Sequence, residues 1–563
     1  MINFRDYFSD KEIIYFFAKK RARAAKDVHD HQFLRNISSL ATKPFNPNKK
    51  KRIYRYTPKR NNWVRLKKKE RANYSDSVQI NTVQIERTIH RDHRRVVKGQ
   101  IPEPEWHKNL FGFIQDLQAS LFENHYYEMR SPEPIPQLKD EKKRTFRPIC
   151  FYNLKDRLVI SQTSQYLTKV FDDIFYENSY AFRYSGRINK KNHHRSVDDL
   201  ITFRNNNLGR LYVSECDIKK FYDSINHNVI IACYGLLKNE LKKNGIIIDE
   251  IAEKIFYQYL QKYSFNHSIY YKQNEILSAR GIKNGSIPWV DKTDLEIMCS
   301  DPVKDRIGIP QGGALSCLIA NIVLHFADKE VLSDNYRKLF YARFCDDMVI
   351  LHTSKKQCQK AYHSYLRALN KLKLVEHKPK EYESYSKDFW SIKTKEPYIW
   401  NKNNHRHYLA KKNVPWVAFV GYQIRYDGLV RVRASSIKKE LKKQVIETDK
   451  VLKSIREKHA VRLNKKAIKF RFMQRMIAMS VGRVNAKNPT MCWSSGFQIL
   501  KNQPCLKSQL RKLDRNRAKQ IKRLEKNIKQ FEDVNKRKSN KLRVLPYHGA
   551  YISYYHQFVK ERK

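Results

Sequence analysis

The sequence predicts an α+β fold, in which an antiparallel sheet with packed helices is followed by an all-helical region. Three stretches indicate this fold. In YARFCDDMVIL (341–351), apolar β-prone residues surround an acid pair, which is typical of strand, turn and strand. In GIPQGGALSCLIANIVL (308–324), a glycine-rich turn leads into an apolar segment of helical length. From residue 433, apolar residues recur at helical spacing over RASSIKKELKKQVIETDKVLKSI.

Acidic residues stand where the predicted strands end. Asp346 and Asp347 occupy the predicted hairpin tip, and Asp217 ends the apolar strand LYVSECD. Alone, such a pair of neighbouring acids usually marks a solvated turn. Here the first acid, the glycine-rich turn with its helix, and the acid pair follow one another in the order of a polymerase palm.

Composition narrows the class of partner. The chain has 563 residues, enough for three or four domains of about 150 residues each. Its 113 Lys and Arg against 56 acids give a net charge of +57, so nucleic acid is the expected partner. A ribosomal or RNA-packaging protein would share this charge. With a hydrophobic fraction of 41%, the chain is too apolar to be a disordered basic tail.

The cysteines and the apolar runs exclude other classes. No two of the nine cysteines form a C-x-x-C pair, so neither a zinc ribbon nor a thioredoxin-like site is predicted. No apolar run is long enough to span a membrane, and the N-terminus lacks a signal-peptide core. We therefore expect a cytoplasmic protein with reduced thiols and no membrane partner.

A strongly basic segment lies near the N-terminus. Residues 41–72 hold 13 Lys and Arg against a single Glu, and three prolines prevent a long helix there. Interleaved Tyr54, Tyr56 and Trp63 can stack on bases while the cations neutralise phosphates. A flexible charged linker is the alternative interpretation. The candidate nucleic-acid-binding residues are Lys49, Lys50, Lys51, Arg52 and Tyr54.

An ordered series of blocks resembles the bacterial reverse transcriptases related to group II intron, retron and defence-associated (abortive-infection and unknown-group) enzymes. The blocks, in chain order, are KKRTFRPICFYNLKDRLV, SYAFRYSGR, ECDIKKFYDSINH, GIPQGGALS, FCDD, LKLVEHKPK and FVGYQI. The resemblance implies a right-hand polymerase. It predicts a basic N-terminal extension over 1–95, fingers and palm over 96–430, and a helical thumb with a basic C-terminal extension over 431–563.

The resemblance also assigns the catalytic acids. Asp217, Asp346 and Asp347 are expected to hold two Mg²⁺ ions, for which Mn²⁺ can substitute. Ile218 would contribute only its backbone carbonyl, so its side chain is expected to be replaceable. Asp223, at the start of the next helix, is expected to be a cap and not a ligand. Phe344 replaces the tyrosine that usually begins the Y/F-x-D-D box.

The remaining assignments concern the incoming nucleotide. Tyr222 matches the ring that excludes a ribonucleotide 2′-hydroxyl. Arg147 matches the fingers arginine, while the lysine of that block is either Lys142 or Lys143. In a β-hairpin, Lys143 would share a face with Arg147, and Arg144 would point the other way. Further nucleotide-binding candidates are Gln311, Gly312 and, for protonating pyrophosphate, Lys380 or its neighbour Lys378.

We therefore expect an RNA-directed DNA polymerase that takes an RNA template and dNTPs and yields DNA. A dedicated non-coding template RNA, a role in antiphage defence, and a homo-oligomer or protein partner are further expectations. Two alternatives are a template-independent or RNA-copying palm polymerase and a maturase-like RNA-binding protein. The long interval 228–306 is expected to be an insertion in palm and fingers.

Overall fold

The computed structural model of the chain describes residues 2–35, 52–71, 73–74, 77–184, 191–334, 337–380, 389–401, 413–457, 468–470, 472–473, 475–476 and 504–534. These residues form two compact units. The first contains 1–9, 117–420 and 424–428, and the second contains 10–116, 421–423 and 429–563.

A five-stranded sheet lies in the first unit, with strand order β4-β5-β3-β6-β7. Its strands are β3 (Leu211–Cys216), β4 (Leu339–Phe344), β5 (Asp347–His352), β6 (Lys395–Trp400) and β7 (Asn413–Val414). The three pairings among β4, β5, β3 and β6 are antiparallel, and β7 adds a short parallel edge. Since β3 and β5 are buried over almost their whole length, they read as apolar runs without strict alternation.

A separate hairpin precedes this sheet. Strands β1 (Glu133–Asp140) and β2 (Thr145–Phe151) pair antiparallel, with Gln137 opposite Arg147 and an irregularity before Asp140. The four residues 141–144 form the turn between the strands.

Nine helices of the described residues surround the strands of the first unit. They are α5 (Leu154–Phe171), α6 (His193–Asn206), α7 (Phe221–Ser224), α8 (His227–Lys243), α9 (Glu250–Gln261), α10 (Gln273–Ser278), α11 (Lys292–Met298), α12 (Ala314–Leu332) and α13 (Lys355–Lys371). Helix α12 is buried nearly all round, as its uniformly apolar sequence requires. Five of the nine begin at Asn or Asp residues whose side chains accept hydrogen bonds from the first turn: Asn153, Asn192, Asn226, Asp249 and Asp291.

The second unit is built mainly of helices. Its long elements are α1 (Asp10–Arg35), α3 (Ser77–Val97), α4 (Glu105–Gln118), α14 (Ala434–Glu457) and α15 (Pro504–Val534), and α2 (Lys68–Arg71) is a single turn. Helices α14 and α15 pack together through an apolar core that includes Val451, Leu452, Leu524 and Ile528. Short strands β8 (Trp416–Phe419), β9 (Tyr422–Arg425) and β10 (Val430–Val432) lie where the chain passes between the units. The predicted α+β fold with an antiparallel sheet and helices is confirmed.

Candidate active site

Sheet register places the three predicted acids at one edge. Phe344 faces Asp347 across the β4–β5 hairpin, so Cys345 and Asp346 form its two-residue turn. Cys345 has φ 60°, a left-handed conformation that such a tight turn requires. On the other side of β5, Cys216 pairs with Met348. Because the pairing is antiparallel, Asp217 emerges beside Asp347, next to the tip that carries Asp346.

Charge is unevenly balanced at this edge. Burial of the half-buried Asp346 carboxyl raises its pKa, and the nearby Asp217 charge raises it further. Lys393 donates a hydrogen bond from Nζ to Asp217 Oδ2 at 2.5 Å, and His377 Nε2 lies 3.7 Å from the same oxygen. The basic side chains therefore gather on Asp217, whereas Asp347 is exposed.

The three acids have the ligand chemistry that a divalent cation needs, but their side chains are not grouped closely around one point. Carboxylate oxygens are the hard ligands that Mg²⁺ prefers, and the Lys393 ammonium already supplies a positive charge at Asp217. Within the described ranges, no three His, Cys, Asp or Glu side chains are grouped closely enough to hold one metal ion. Ile218, predicted to serve through its backbone, has a side chain that is only 2% exposed. That side chain belongs to the core, and the role of the Ile218 backbone carbonyl stays a prediction.

Tyr222 lies against the hairpin tip. It follows Lys220, whose φ of 48° turns the chain sharply into α7. The Tyr222 hydroxyl is 3.2 Å from Cys345 Sγ, within hydrogen-bond distance. Burial raises the pKa of this hydroxyl, so the ring is a neutral apolar surface beside the acids.

Asp223 is not a helix cap. Its carboxylate accepts a hydrogen bond from Gln311 Nε2 at 2.6 Å, and α8 is capped by Asn226 instead. Asp223 is 5% exposed, and burial raises its pKa to about 6. The glutamine of the glycine motif is thus held by an acid six residues beyond Asp217.

The glycines of this motif are required by packing within the protein. Gly312 has φ 99°, which disfavours any side chain. A Cβ on Gly313 would lie 1.8 Å from the Tyr259 hydroxyl. The structure therefore gives these glycines a reason that does not depend on a bound nucleotide.

The fingers cations are arranged differently from the strand prediction. Arg147 lies on β2 and is exposed, whereas Lys143 and Arg144 lie in the turn, where alternation of faces does not apply. Arg144 has φ 49° and donates to the Lys283 carbonyl. Its guanidinium is therefore tied to the neighbouring loop.

Three cations that sequence reasoning missed lie near Arg147 and the acids. Burial lowers the pKa of Lys220, and the charges of Lys139, Arg147 and Lys393 lower it further. Lys220 also donates to the Pro288 carbonyl at 2.7 Å. Its place three residues after Asp217 was a usable signal. Lys393 had none, because it comes 46 residues after Asp347 in sequence and reaches Asp217 only through strand β6.

Lys380 lies exposed in the loop after α13. The cation in contact with Asp217 is Lys393. The structure therefore adds Lys393 to Lys378 and Lys380 as a candidate for the lysine that protonates pyrophosphate.

The basic N-terminal candidates are only partly described. Lys49, Lys50 and Lys51 and the side chain of Arg52 lie outside the described residues. Tyr54 is half-buried, with the Arg21 guanidinium carbon 4.0 Å from its ring centroid. Trp63 is 6% exposed and donates from Nε1 to the Pro58 carbonyl, so it is a core residue and its ring is not free to stack on a base.

Comparison with known families agrees with this geometry. Residues 138–410 match the family model described as reverse transcriptase (RNA-dependent DNA polymerase). The match covers just under half of the chain.

Among curated proteins, the chain is similar to the group II intron-encoded protein LtrA of Lactococcus lactis subsp. cremoris, also found in strain MG1363. Each match is 24% identical over 221 residues, which is 39% of this chain. It spans 28% of the relative's length.

Matches to solved structures are weaker. Apo telomerase from Candida tropicalis aligns with TM-score 0.32 and 12% identity over 93% of this chain and 86% of that chain. The RNA-dependent RNA polymerase of a human picobirnavirus aligns with TM-score 0.32 and 10% identity over 77% of this chain and 65% of that chain. TM-scores this low do not support a fold assignment, so the assignment is based on the strands and helices described above. Among the described residues, no helix has the length and apolarity that a membrane crossing needs.

Proposed function

We propose that this protein is an RNA-directed DNA polymerase whose catalytic acids are Asp217, Asp346 and Asp347. The observation that carries the proposal is the register of β3, β5 and β4, which brings Asp217 to the same sheet edge as the sequence-distant pair Asp346 and Asp347. The matched reverse transcriptase domain supports the same reaction.

The acids and the Ile218 carbonyl would hold two Mg²⁺ ions, or Mn²⁺ in their place. The chemistry that such ions would supply is a lower pKa for the primer hydroxyl and neutralisation of charge on the leaving pyrophosphate. Lys393 is paired with the Asp217 carboxylate at the sheet edge, and the His377 ring lies beside it. Lys393 would give up Asp217 to a divalent cation and would pair instead with the triphosphate.

Positioning of the nucleotide falls to the surrounding cations and to Tyr222. Burial lowers the pKa of Lys139 and of Lys220, the charge of Arg147 lowers both further, and a triphosphate would relieve that repulsion. The Tyr222 ring beside the hairpin tip would clash with a 2′-hydroxyl and so select deoxynucleotides. Lys143, Arg144, Gln311, Gly312 and Lys380 remain nucleotide-binding candidates.

Primer extension on a homopolymer RNA template with dNTPs or NTPs and Mg²⁺ tests the proposal. Template-dependent incorporation of dNTPs is expected. Incorporation without template or preference for NTPs would favour the other palm polymerases. RNA binding without any synthesis would favour the maturase-like alternative.

We also propose that the basic N-terminal and C-terminal extensions bind the template RNA together with the palm. Log affinity should fall with log salt by about 0.7 for each phosphate contacted on single strands. Neutralising Lys49, Lys50, Lys51 and Arg52 together should flatten that slope by up to about 3 on RNA. An unchanged slope would make this run a charged linker.

The biological setting is proposed from the resemblance. The chain would act in the cytoplasm, copy an associated non-coding RNA and serve in antiphage defence, with fingers and palm over 96–430 and thumb over 431–563. A phage-plating assay on cells with and without the intact acids tests the defence role. Equal plating on both would contradict it.

A further inference from the structure

A large cationic cavity lies within the second unit, apart from the acids of the sheet. It has a volume of about 1540 Å³. Its wall is formed by α1, by the 54–65 segment with its two short 3-10 helices, by α3 and by the start of α4. Seven Lys and Arg side chains line it against two acids. One of those acids, Asp92, is already bonded to Arg91 at 2.8 Å.

Arg21 is the exceptional residue of this wall. It is 4% exposed, and among the described residues its Nε and Nη1 have no hydrogen-bond partner. Its guanidinium carbon lies 4.0 Å from the Tyr54 ring centroid and 4.9 Å from that of Trp63. These rings contact the guanidinium by cation–π interaction, which leaves its N–H groups for an anion.

A buried guanidinium without an anion is costly to the fold. Nearly all buried polar groups in proteins are paired, and an unpaired buried charge destabilises the folded state. Burial lowers the pKa of Arg21, and the nearby charge of Arg60 lowers it further. An anion between these two cations would relieve both the desolvation and the repulsion.

We propose that this cavity binds a single-stranded nucleic acid, with a backbone phosphate on Arg21. Phosphate is an anion whose geometry matches a guanidinium edge. The volume exceeds the roughly 300–1,000 Å³ of ordinary small-molecule sites, and a lone phosphate would not neutralise seven cations. Half-buried Trp106 in the same wall offers an aromatic face for a base.

This inference does not rest on the proposed polymerase function, and its test separates the two. Binding of labelled single-stranded RNA and of DNA with matching sequence is measured by fluorescence anisotropy. The protein is the full chain carrying Asp346→Ala and Asp347→Ala, so that synthesis plays no part. Thermal unfolding is recorded for every variant.

Arg21→Met should weaken binding of both strands by about tenfold or more, since a charge-assisted contact is lost. The salt slope should fall by about 0.7. Its melting temperature should stay level or rise, because a buried unpaired charge is removed. Arg23→Met is the matched control: it loses the same charge two residues along α1, at an exposed position outside the cavity wall. It should change affinity by less than about twofold.

Three results would overturn the proposal. If Arg21→Met binds RNA and DNA as tightly as the parent, Arg21 does not contact a phosphate. If Arg23→Met loses as much affinity, the effect of Arg21 is only the general attraction of a positive charge. An equal loss on a strand with an uncharged methylphosphonate backbone would exclude phosphate recognition. If Arg21→Met unfolds, Arg60→Gln is used instead, because this wall residue is exposed and its affinity loss must again exceed that of Arg23→Met.

Discussion

Two charged clusters three residues apart on one hairpin have opposite designs. The first is centred on Arg343 of β4, which is 1% exposed. Its Nε and Nη2 donate to the two oxygens of Asp328 at 2.7 Å each, and it also donates to Ser179 Oγ and the Cys345 carbonyl. Tyr341 donates to Asp328 as well. Every charge in this cluster faces an opposite charge.

The second cluster consists of Asp217, Asp346 and Asp347. Its members carry the same sign, and Lys393 forms an ion pair with Asp217. Burial raises the pKa of Asp346, and the charge of Asp217 raises it further. The cluster therefore lowers the stability of the protein alone and gains from an added cation.

The difference separates a structural cluster from a functional one. A buried ion pair with all its hydrogen bonds made is destabilised by any single removal. A group of like charges is maintained only if something outside the fold uses it. Mutation should therefore damage stability at Arg343 and activity at the acids, and each effect can be measured separately.

The largest effect is expected at the acids. Asp346→Ala with Asp347→Ala should reduce primer extension about a thousandfold or more, because several kcal/mol of transition-state stabilisation are lost. The melting temperature should not fall, since two mutually repelling charges are removed. Asp301→Ala, an exposed acid of the same unit, is the control and should retain synthesis. Mg²⁺-dependent synthesis by the double variant would refute the catalytic assignment.

Arg343→Met should instead destabilise the fold, by about 3–5 kcal/mol, because Asp328 is left as an unpaired buried charge. Denaturant unfolding measures the shift. Lys371→Met breaks the exposed pair with Glu330 and should cost less than about 1 kcal/mol. Equal costs for the two variants would mean that the Arg343 cluster is not structural.

The sequence predicted one of these clusters and was silent on the other. Asp346 and Asp347 stand in a local pattern of β-prone residues around a turn, and that pattern alone locates them on a hairpin. Arg343 and Asp328 meet only because α12 packs on β4, which no local period encodes. The same reason hid Lys393, whose partner Asp217 is 176 residues away.

Local patterns also misled where tertiary packing decided. Asp223 looked like a cap because a helix begins there, but burial pairs its carboxylate with Gln311. Trp63 looked like a base-stacking ring in a basic segment, yet it is a core residue. Lys143 and Arg144 were assigned to a strand, whereas the hairpin turn takes up four residues. The sequence predicted which segments form helices and strands, but it did not predict which residues, far apart in the chain, contact one another.

Asp223 is a buried acid whose partner is the Gln311 amide, so its contribution to stability can be compared with that of the Arg343 ion pair. Its carboxyl has a pKa of about 6 in the folded chain against an ordinary 3.8, because burial disfavours the charge. The folded state therefore takes up a proton between about pH 4 and 6 that the unfolded state does not. The free energy of unfolding should fall as pH rises through this window.

Asp223→Asn removes that titration while Gln311 keeps an acceptor oxygen. The variant should be more stable than the parent above pH 6, by at most about 3 kcal/mol, and the gap should close towards pH 4. Thermal unfolding across this range measures the gap. A gap that does not change with pH would mean that Asp223 remains charged in the folded protein.

The smallest effect is expected at Tyr222, whose hydroxyl contacts buried Cys345 beside Asp346. Tyr222→Val should raise incorporation of ribonucleotides relative to deoxynucleotides by about 10–200-fold, the scale of small steric features in a pocket. Competitive primer extension with both nucleotides measures the ratio.

Tyr222→Phe is the matched control for this prediction, because it keeps the ring and loses only the hydroxyl bond to Cys345. If the ring excludes the 2′-hydroxyl, Tyr222→Phe should select deoxynucleotides as the parent does. If Tyr222→Phe relaxes selection as much as Tyr222→Val, the hydroxyl bond to Cys345 is needed to position the ring, and the size of the ring alone does not explain selection. If neither variant changes the ratio, discrimination lies in another residue and Tyr222 belongs with Arg343 among the structural groups of the hairpin.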